Sequence, residues 1–294
     1  MPFLRRAFLL LLIVCTTLAS GCKSPTLTVM TFNIRYDTPT DGVNAWPKRR
    51  AFVADIIRKH DPDLLGLQEV LVTQRDELLA ELPAYESVGV GRDDGDRKGE
   101  FSPLFFRKTR FNVIDKGWFW LSETPDRPGS KGWDAACPRI ATWARLRDLI
   151  TKDEVLVLNT HFDHRGDTAR RMSAGLVWEF LEKHSSVPRI VLGDFNCDPG
   201  QPPHAMIRGM SPEKNRLPVH PPLHDAFSRV IGDETDAGTF NGFEGVRTGP
   251  RIDWILHTDE FVPQTCEIVR DSRDGRYPSD HFPVVARFRV TRRR

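Results

Sequence analysis

The stretch IVLGDFN (190–196) carries an apolar run to Gly193 and then presents a carboxylate, Asp194, and a carboxamide, Asn196, two residues apart. Groups of this kind at the mouth of a buried strand can brace a turn; they can also move protons or bind a hard cation. The arrangement recurs along the chain. TFNI supplies Asn33, LQEV supplies Gln68 and Glu69, and NTHFDH supplies His161 and Asp163, each after an apolar run. RIDWIL embeds Asp253 within an apolar strand, where an unpaired charge is costly. PSDHFPVV sets Asp280 and His281 just before the last strand. Taken singly, each has an ordinary structural role: Asn33 satisfying an amide, Glu69 capping a helix, Asp253 pairing with a buried cation, Asp280 and His281 making a turn. Taken together, carboxylates, amides and imidazoles at so many strand ends argue for one constellation.

The elements that must position these residues are short strands and a few helices. LTVMTFNI (27–34) reads as a first strand, and WPKRRAFVADIIRKH follows as a helix with Pro47 in its first turn and Phe52, Val53, Ile56 and Ile57 on one face. DLLGLQEV is a buried strand, and TQRDELLAEL is a second helix in which Thr73 and Asp76 suggest the start. Between residues 85 and 147 four strands follow one another without helices, so antiparallel pairing is expected. EVLVLNTHF, the amphipathic TARRMSAGLVWEFLEKH and RIVLGDFN form a strand, a helix and a strand, and RIDWILH, TCEIVR and FPVVARFRV complete the set. Helices that accompany only some strands predict two stacked sheets with helices outside. The stretches 91–100, 122–138 and 197–222 read as long loops, a common place for function.

Composition narrows the partners. With 42 Lys+Arg against 40 Asp+Glu over 294 residues, the chain lacks the basic field of a protein held to DNA by charge alone. Arg5 and Arg6, the apolar run AFLLLLIVC and the small residues of TLASGC read as an export signal over residues 1–22. The ending LASGC resembles a bacterial lipoprotein signal, with Cys22 as the lipidated first residue of the mature chain. An exported protein is therefore expected, membrane-anchored in the periplasm or at the cell surface, or else secreted. Cys137, Cys197 and Cys266 then remain, too few and too uneven for a disulfide framework.

The ordered set TFNI, LQE, NTH, GDFN, RIDWIL and SDH resembles the endonuclease/exonuclease/phosphatase superfamily, over residues 27 to 290. The resemblance implies an α/β fold, a four-layer sandwich of two mixed, largely antiparallel sheets flanked by helices, in a single domain over residues 23–294. It implies a phosphoesterase that hydrolyses a phosphodiester or phosphomonoester by in-line attack of an activated water. Such chemistry needs the phosphate charge offset and the leaving oxygen stabilised. Mg²⁺, with Mn²⁺ as the alternative, is the implied cofactor, held by Glu69, Asp280 and Asn33. Asn33, Arg35, His161 and Asn196 are the implied phosphate contacts. Asp194, Asn196, His161 and His281 are the implied catalytic set, with Asp253 orienting His281 and favouring its charged form. Which group is the acid and which the base stays open.

Arg35 departs from the family's abasic-site nucleases, which often carry an acidic residue two places after the first Asn. Together with export, this argues against DNA repair. Nucleic acid, a sugar phosphate and a phospholipid head group all remain as substrates. Arg165, Arg170, Arg171, Arg247 and Arg251 are further basic candidates, and Trp133 is a candidate for stacking on a base or sugar. A monomer is expected. Calcineurin-like and metallo-β-lactamase readings lack their opening His motifs. The alternative of another class is a non-catalytic phosphate- or glycan-binding lipoprotein that retains the fold.

Overall fold

The computed structural model describes residues 24–210 and 222–291, so Cys22 and the segment read as an export signal lie outside the described residues. The chain begins with β1 (Thr26–Asn33), passes a 3₁₀ turn at Pro39–Asn44, and crosses back through α1 (Trp46–His60) to β2 (Leu64–Gln68). This crossover lays β2 parallel to β1, with Asn33 opposite Gln68. After α2 (Val72–Glu81) come β3 (Tyr85–Val88) and β4 (Leu104–Arg107). A meander of β5 (Phe111–Trp120), β6 (Ile140–Asp148) and β7 (Glu154–His161) follows, in line with the helix-free sequence there. The second crossover, α3 (Asp167–Lys183), brings β8 (Arg189–Asp194) parallel to β7, with His161 opposite Asp194. The remainder is α4 (Pro202–Ile207), β9 (His224–Asp225), α5 (Ala226–Val230), β10 (Asp253–His257), β11 (Phe261–Ile268) and β12 (Val284–Val290).

Hydrogen bonding orders one sheet β11-β12-β1-β2-β4-β3 and the other β5-β6-β7-β8-β10-β9. Each holds one parallel pair among antiparallel ones, so the sheets are mixed as expected. Three apolar layers hold them. Val29, Leu64, Phe106, Val157, Ile190, Ile255 and Phe288 fill the space between sheets. Phe32, Val53, Ile57, Leu65, Leu67 and Leu78 join α1 and α2 to the first sheet, and Leu156, Leu158, Ala174, Val177, Leu181 and Ile207 join α3 and α4 to the second. The four-layer sandwich is thus helix, sheet, sheet, helix.

One polar seam crosses the middle layer. Gln68 Nε2 donates to Thr31 Oγ1 (3.1 Å) and to Asn159 Oδ1 (2.7 Å), while Asn159 Nδ2 donates to the Leu67 and Pro103 carbonyls, both at 2.8 Å. Gly66 leaves room for it: a Cβ there would lie 2.4 Å from Leu192 Cδ1 and 2.8 Å from the Asn159 side chain. Gln68 therefore ties the sheets together and stands apart from the strand-end cluster it was grouped with.

Two local expectations change. Thr73 does not cap α2; the side chain of Gln74 accepts from the Leu71 amide (3.0 Å) and closes the first turn instead. The Pro-rich stretch read as loop contains α4, which opens on Pro202 and Pro203, residues tolerated where a helix needs no amide donor. Cys137, Cys197 and Cys266 are free, and among the described residues no helix is long and apolar enough to cross a membrane.

Candidate active site

The two parallel pairs end at the same rim. Asn33 and Glu69 come from β1 and the residue after β2, His161 and Asp194 from β7 and β8, and antiparallel β10 sets Asp253 opposite Asp194. Local devices aim these side chains. Glu69, Arg35 and Asn196 all have left-handed backbones, with φ of 59°, 57° and 48°; such conformations cost energy and collect at working sites. Gly193 in GDFN has φ 156°, and a Cβ on it would meet the Thr160 carbonyl oxygen at 2.2 Å. Arg49, buried on α1, donates to the carbonyls of Ile34, Pro278 (3.2 Å) and Arg35 (2.7 Å), clipping the Arg35 turn to the segment that carries Asp280. Gln74 braces the same turn by donating to the Arg35 carbonyl (3.0 Å).

Asn33 stands at the centre. Its Nδ2 donates to Glu69 Oε1 (3.1 Å) and to Asp194 Oδ2 (2.9 Å), and lies 3.5 Å from His281 Nε2. The buried His281 directs Nδ1 to Asp253 Oδ2 at 3.0 Å and Nε2 towards Asp194 Oδ2 at 3.7 Å. Burial by itself lowers the basicity of this imidazole, but Asp253 and Asp194 outweigh it and raise the pKa to about 10. The two carboxylates thus favour the charged form of the ring. Asp194 is pushed up to about 7, by burial first and then by Asp253. Phe240 packs edge-on against His281, with ring centroids 5.2 Å apart.

His161 is buried on the other side of Asp194, its Nε2 3.4 Å from Asp194 Oδ2. Asn196 Nδ2 donates to the Phe162 carbonyl (3.1 Å) and contacts His161 Nε2 (3.0 Å), which assigns Nε2 as acceptor and the proton to Nδ1. Burial, then the charges of Arg139 and Arg92, hold this imidazole well below its ordinary pKa, hence neutral. Its Nδ1 faces Glu100 Oε2 at 4.0 Å.

Glu69 and Asp280 form the oxygen-rich edge. Arg35 lies 3.8 Å from Glu69 and 3.9 Å from Asp280, and is held by Asp41 through two bonds of 3.1 and 3.0 Å. Burial raises the Asp280 pKa; His281 opposes this and the Glu69 charge adds to it. Two carboxylates that repel each other are an oxygen donor pair that fits Mg²⁺ or Mn²⁺. Asn33, expected as a third ligand, instead turns Nδ2 to Glu69 and Asp194 while its Oδ1 accepts from the Arg35 amide (3.0 Å), so it orients the Glu69 carboxylate and offers the cation no free oxygen. Two other acidic clusters among the described residues are already engaged. Between Asp194 and Asp253 the charged ring of His281 already fills that place. At Cys137, Asp163 and His164 the Arg139 guanidinium does so, 3.4 Å from Asp163 Oδ2 and 2.9 Å from His164 Nδ1.

Arg35, Glu69, His161, Asp194, Asn196, Asp280 and His281 line one cleft of about 900 Å³, with Asn33 and Asp253 behind its wall. Sequence reasoning missed four of its charged residues: Asp41, Arg92, Glu100 and Arg139. Loop 91–100 was read as a long loop, a common place for function, but nothing marked Arg92 and Glu100 within it, and Arg139 lies outside it, just before β6. Arg165, Arg170, Arg171, Arg247, Arg251 and Trp133 are absent from the lining. Arg251 is buried against Asp225 (2.9 Å) and Glu234 (2.8 Å), and Asp163 braces the turn after β7 by accepting from the Arg165 (2.9 Å) and Gly166 (2.8 Å) amides.

A profile of the Endonuclease/Exonuclease/phosphatase family matches residues 30–281, a span that runs from β1 to His281. The chain belongs to that family. The endonuclease/exonuclease/phosphatase from Bacteroides vulgatus is 37% identical to it, and the two structures superpose with a TM-score of 0.81 over 91% of this chain and 100% of the other. A mannosyl-6-phosphatase from Bacteroides thetaiotaomicron is 35% identical, with a TM-score of 0.78 over 88% of this chain and 98% of its own. The exoribonuclease subunit Ccr4 of the CCR4-Not complex from Emericella nidulans is 26% identical over 260 residues, 69% of this chain. The chain spans 38% of the length of that relative. Members of the endonuclease/exonuclease/phosphatase family are hydrolases of phosphoric esters, and the family match puts this chain among them.

Proposed function

We propose that this protein is a divalent-metal-dependent phosphoesterase working by in-line attack of water. The observation that carries the reading is Asn33 Nδ2 bonded at once to Glu69 and to Asp194, which ties the cation-binding edge to the proton-transfer groups. Glu69, oriented by Asn33, and Asp280 would hold Mg²⁺ or Mn²⁺, which when bound offsets charge on the phosphate and on the departing oxygen. Asp194, with a pKa near 7, takes a proton from the attacking water onto Oδ2. His281 stays charged and offsets negative charge at the phosphate, with Asp253 fixing its orientation. Asn196 orients His161 through Nδ2 and keeps Oδ1 to accept from the water, and Arg35 adds positive charge at the cleft edge.

The 35% identity to the mannosyl-6-phosphatase along nearly the whole of both chains favours a sugar phosphomonoester over nucleic acid or a phospholipid head group. The export signal over residues 1–22 would put the activity outside the cytoplasm, with Cys22 lipidated and the remaining chain a single monomeric domain. Fatty-acid labelling that survives in wild type and vanishes in Cys22→Ser tests the anchor. For the activity, purified protein should hydrolyse members of a panel of sugar phosphates, oligonucleotides and phospholipids with Mg²⁺, and lose that hydrolysis in EDTA. Binding of phosphate compounds with no metal-dependent turnover on any panel member would instead support a non-catalytic lipoprotein.

A further inference from the structure

One wall of the cleft is built from charge that is already neutralised, yet keeps unused donors. Arg92 Nη1 and Nη2 bond both oxygens of Glu100 at 2.7 Å, and Arg139 Nε pairs with Asp163 at 3.4 Å. Arg92 Nε, Arg139 Nη1 and His161 Nδ1 are nevertheless buried with no hydrogen-bond partner, and all three residues line the cleft. Arg139 is only 4% exposed. Buried donors without acceptors are uncommon and call for an explanation. The wall is also rigid. Backbone bonds from Gly91 to Asp96 (3.0 Å), Arg92 to Glu100 (3.1 Å) and Asp93 to Lys98 (3.1 Å) close the loop, and Trp120 Nε1 fastens it by donating to the Arg92 carbonyl at 2.6 Å.

We propose that Arg92, Glu100 and Arg139 form a subsite for the hydroxyl groups of the alcohol half of the ester, making the preferred substrate the phosphomonoester of a polyhydroxylated compound such as a hexose. This rests on the phosphoesterase reading above. Charge balance decides the class. A second phosphate, as in a polynucleotide or a bisphosphate, needs net positive charge, and here each guanidinium is matched by a carboxylate and the anion would face Glu100. A hydroxyl both donates and accepts, so it can take a hydrogen from Arg92 or Arg139 and give one to Glu100. A wall built to bond hydroxyls discriminates strongly against analogues that lack them, because its own groups are then left unpaired.

The test uses the Mg²⁺-supplemented wild-type protein with a hexose 6-phosphate, n-hexyl phosphate and a short oligonucleotide. The expected result is a kcat/KM for the hexose ester about tenfold or more above that for hexyl phosphate, and above that for the oligonucleotide. Arg92→Gln and Arg139→Lys should each lose about tenfold more on the hexose ester than on hexyl phosphate, with the loss mainly in KM. Equal use of hexose and hexyl esters, equal losses on both in the variants, or preference for the oligonucleotide overturns the subsite while leaving the phosphoesterase reading intact. No hydrolysis of any of the three defeats both. Where one variant fails to fold the other still reports on the wall, and equal use of hexose and hexyl esters by wild type overturns the subsite with no variant at all.

Discussion

His281 and Asp253 share a 3.0 Å hydrogen bond between Nδ1 and Oδ2, with both side chains buried and a second carboxylate, Asp194, on the far side of the ring. A ring held between two carboxylates gains its charge from them, against the penalty of burial. Asp253→Asn keeps the shape and removes half of that support. The amide can still orient the ring but no longer offsets its charge, so the imidazole should titrate at lower pH. Turnover should fall by about 10²-fold or more, the scale of lost charge stabilisation, and the upper pH limit of activity should move down. A variant with wild-type turnover and an unmoved pH profile would falsify the role given to this pair.

Glu69 offers the complementary case. Its oxygens accept from Asn33 Nδ2 (3.1 Å) and from the Tyr36 amide (3.3 Å), and the Arg35 guanidinium lies 3.8 Å away. Replacing one carboxylate oxygen by an NH₂ group in Glu69→Gln removes a charge and an oxygen donor while keeping volume. Wild type should gain thermal stability as Mg²⁺ is added, because a cation that binds the native state shifts unfolding. The variant should show little such gain, and its hydrolysis should drop by about 10²-fold or more. Equal Mg²⁺-induced shifts in melting temperature for the two proteins would exclude Glu69 as a metal-binding residue.

The strand-end polar residues were legible because burial in an apolar run makes a charge conspicuous. Asp253 within RIDWIL and Asp194 after IVLG stood out for that reason. The sandwich was legible from the alternation of helix-linked and helix-free strands. What one sequence does not display is how strands meet in space: Gln68 and Glu69 are neighbours in LQEV, yet one side chain enters the layer between the sheets and the other the cleft. Arg92, Glu100 and Arg139 escaped notice for a related reason. Charged residues in loops and at strand starts are ordinary in composition, and only the folding of loop 91–100 beside β6 and His161 sets them together. The cap of α2 was misread because a Thr near a helix start is a weak signal beside the reach of Gln74.

Asn159 joins the sheets through Gln68, Leu67 and Pro103 and lies outside the cleft lining. Asn159→Ala strips three hydrogen bonds at once, taking the Asn159 donor from the Leu67 carbonyl inside the sandwich and leaving the Pro103 carbonyl only the Leu67 amide (3.1 Å). Each unsatisfied buried group costs about 1–3 kcal/mol, so a loss of roughly 2–5 kcal/mol is expected from urea unfolding. Because the effect is on the packing of one sheet against the other, KM for the best substrate should change little in the molecules that remain folded. A destabilisation under about 0.5 kcal/mol, the range of an ordinary surface substitution, would show that water or a rearranged Gln68 replaces the seam.

His257 gives the fold a pH dependence separate from the chemistry. It is buried on β10, Nδ1 bonds the Thr258 carbonyl at 2.9 Å, and Nε2 is buried with no partner. Burial lowers its pKa to about 4, with the Thr258 bond opposing. An unfolded chain binds the same proton near pH 6.5. Folding therefore favours the neutral ring: its contribution is complete above about pH 6.5, declines as pH falls, and is lost by about pH 4, a change of roughly 3 kcal/mol over that window. Urea midpoints between pH 7.5 and 4.5 should fall more steeply for wild type than for His257→Phe, whose ring can pack against Phe288, 5.0 Å from the imidazole centroid. Parallel slopes for the two proteins would mean that His257 takes up its proton in the folded state as easily as in the unfolded chain.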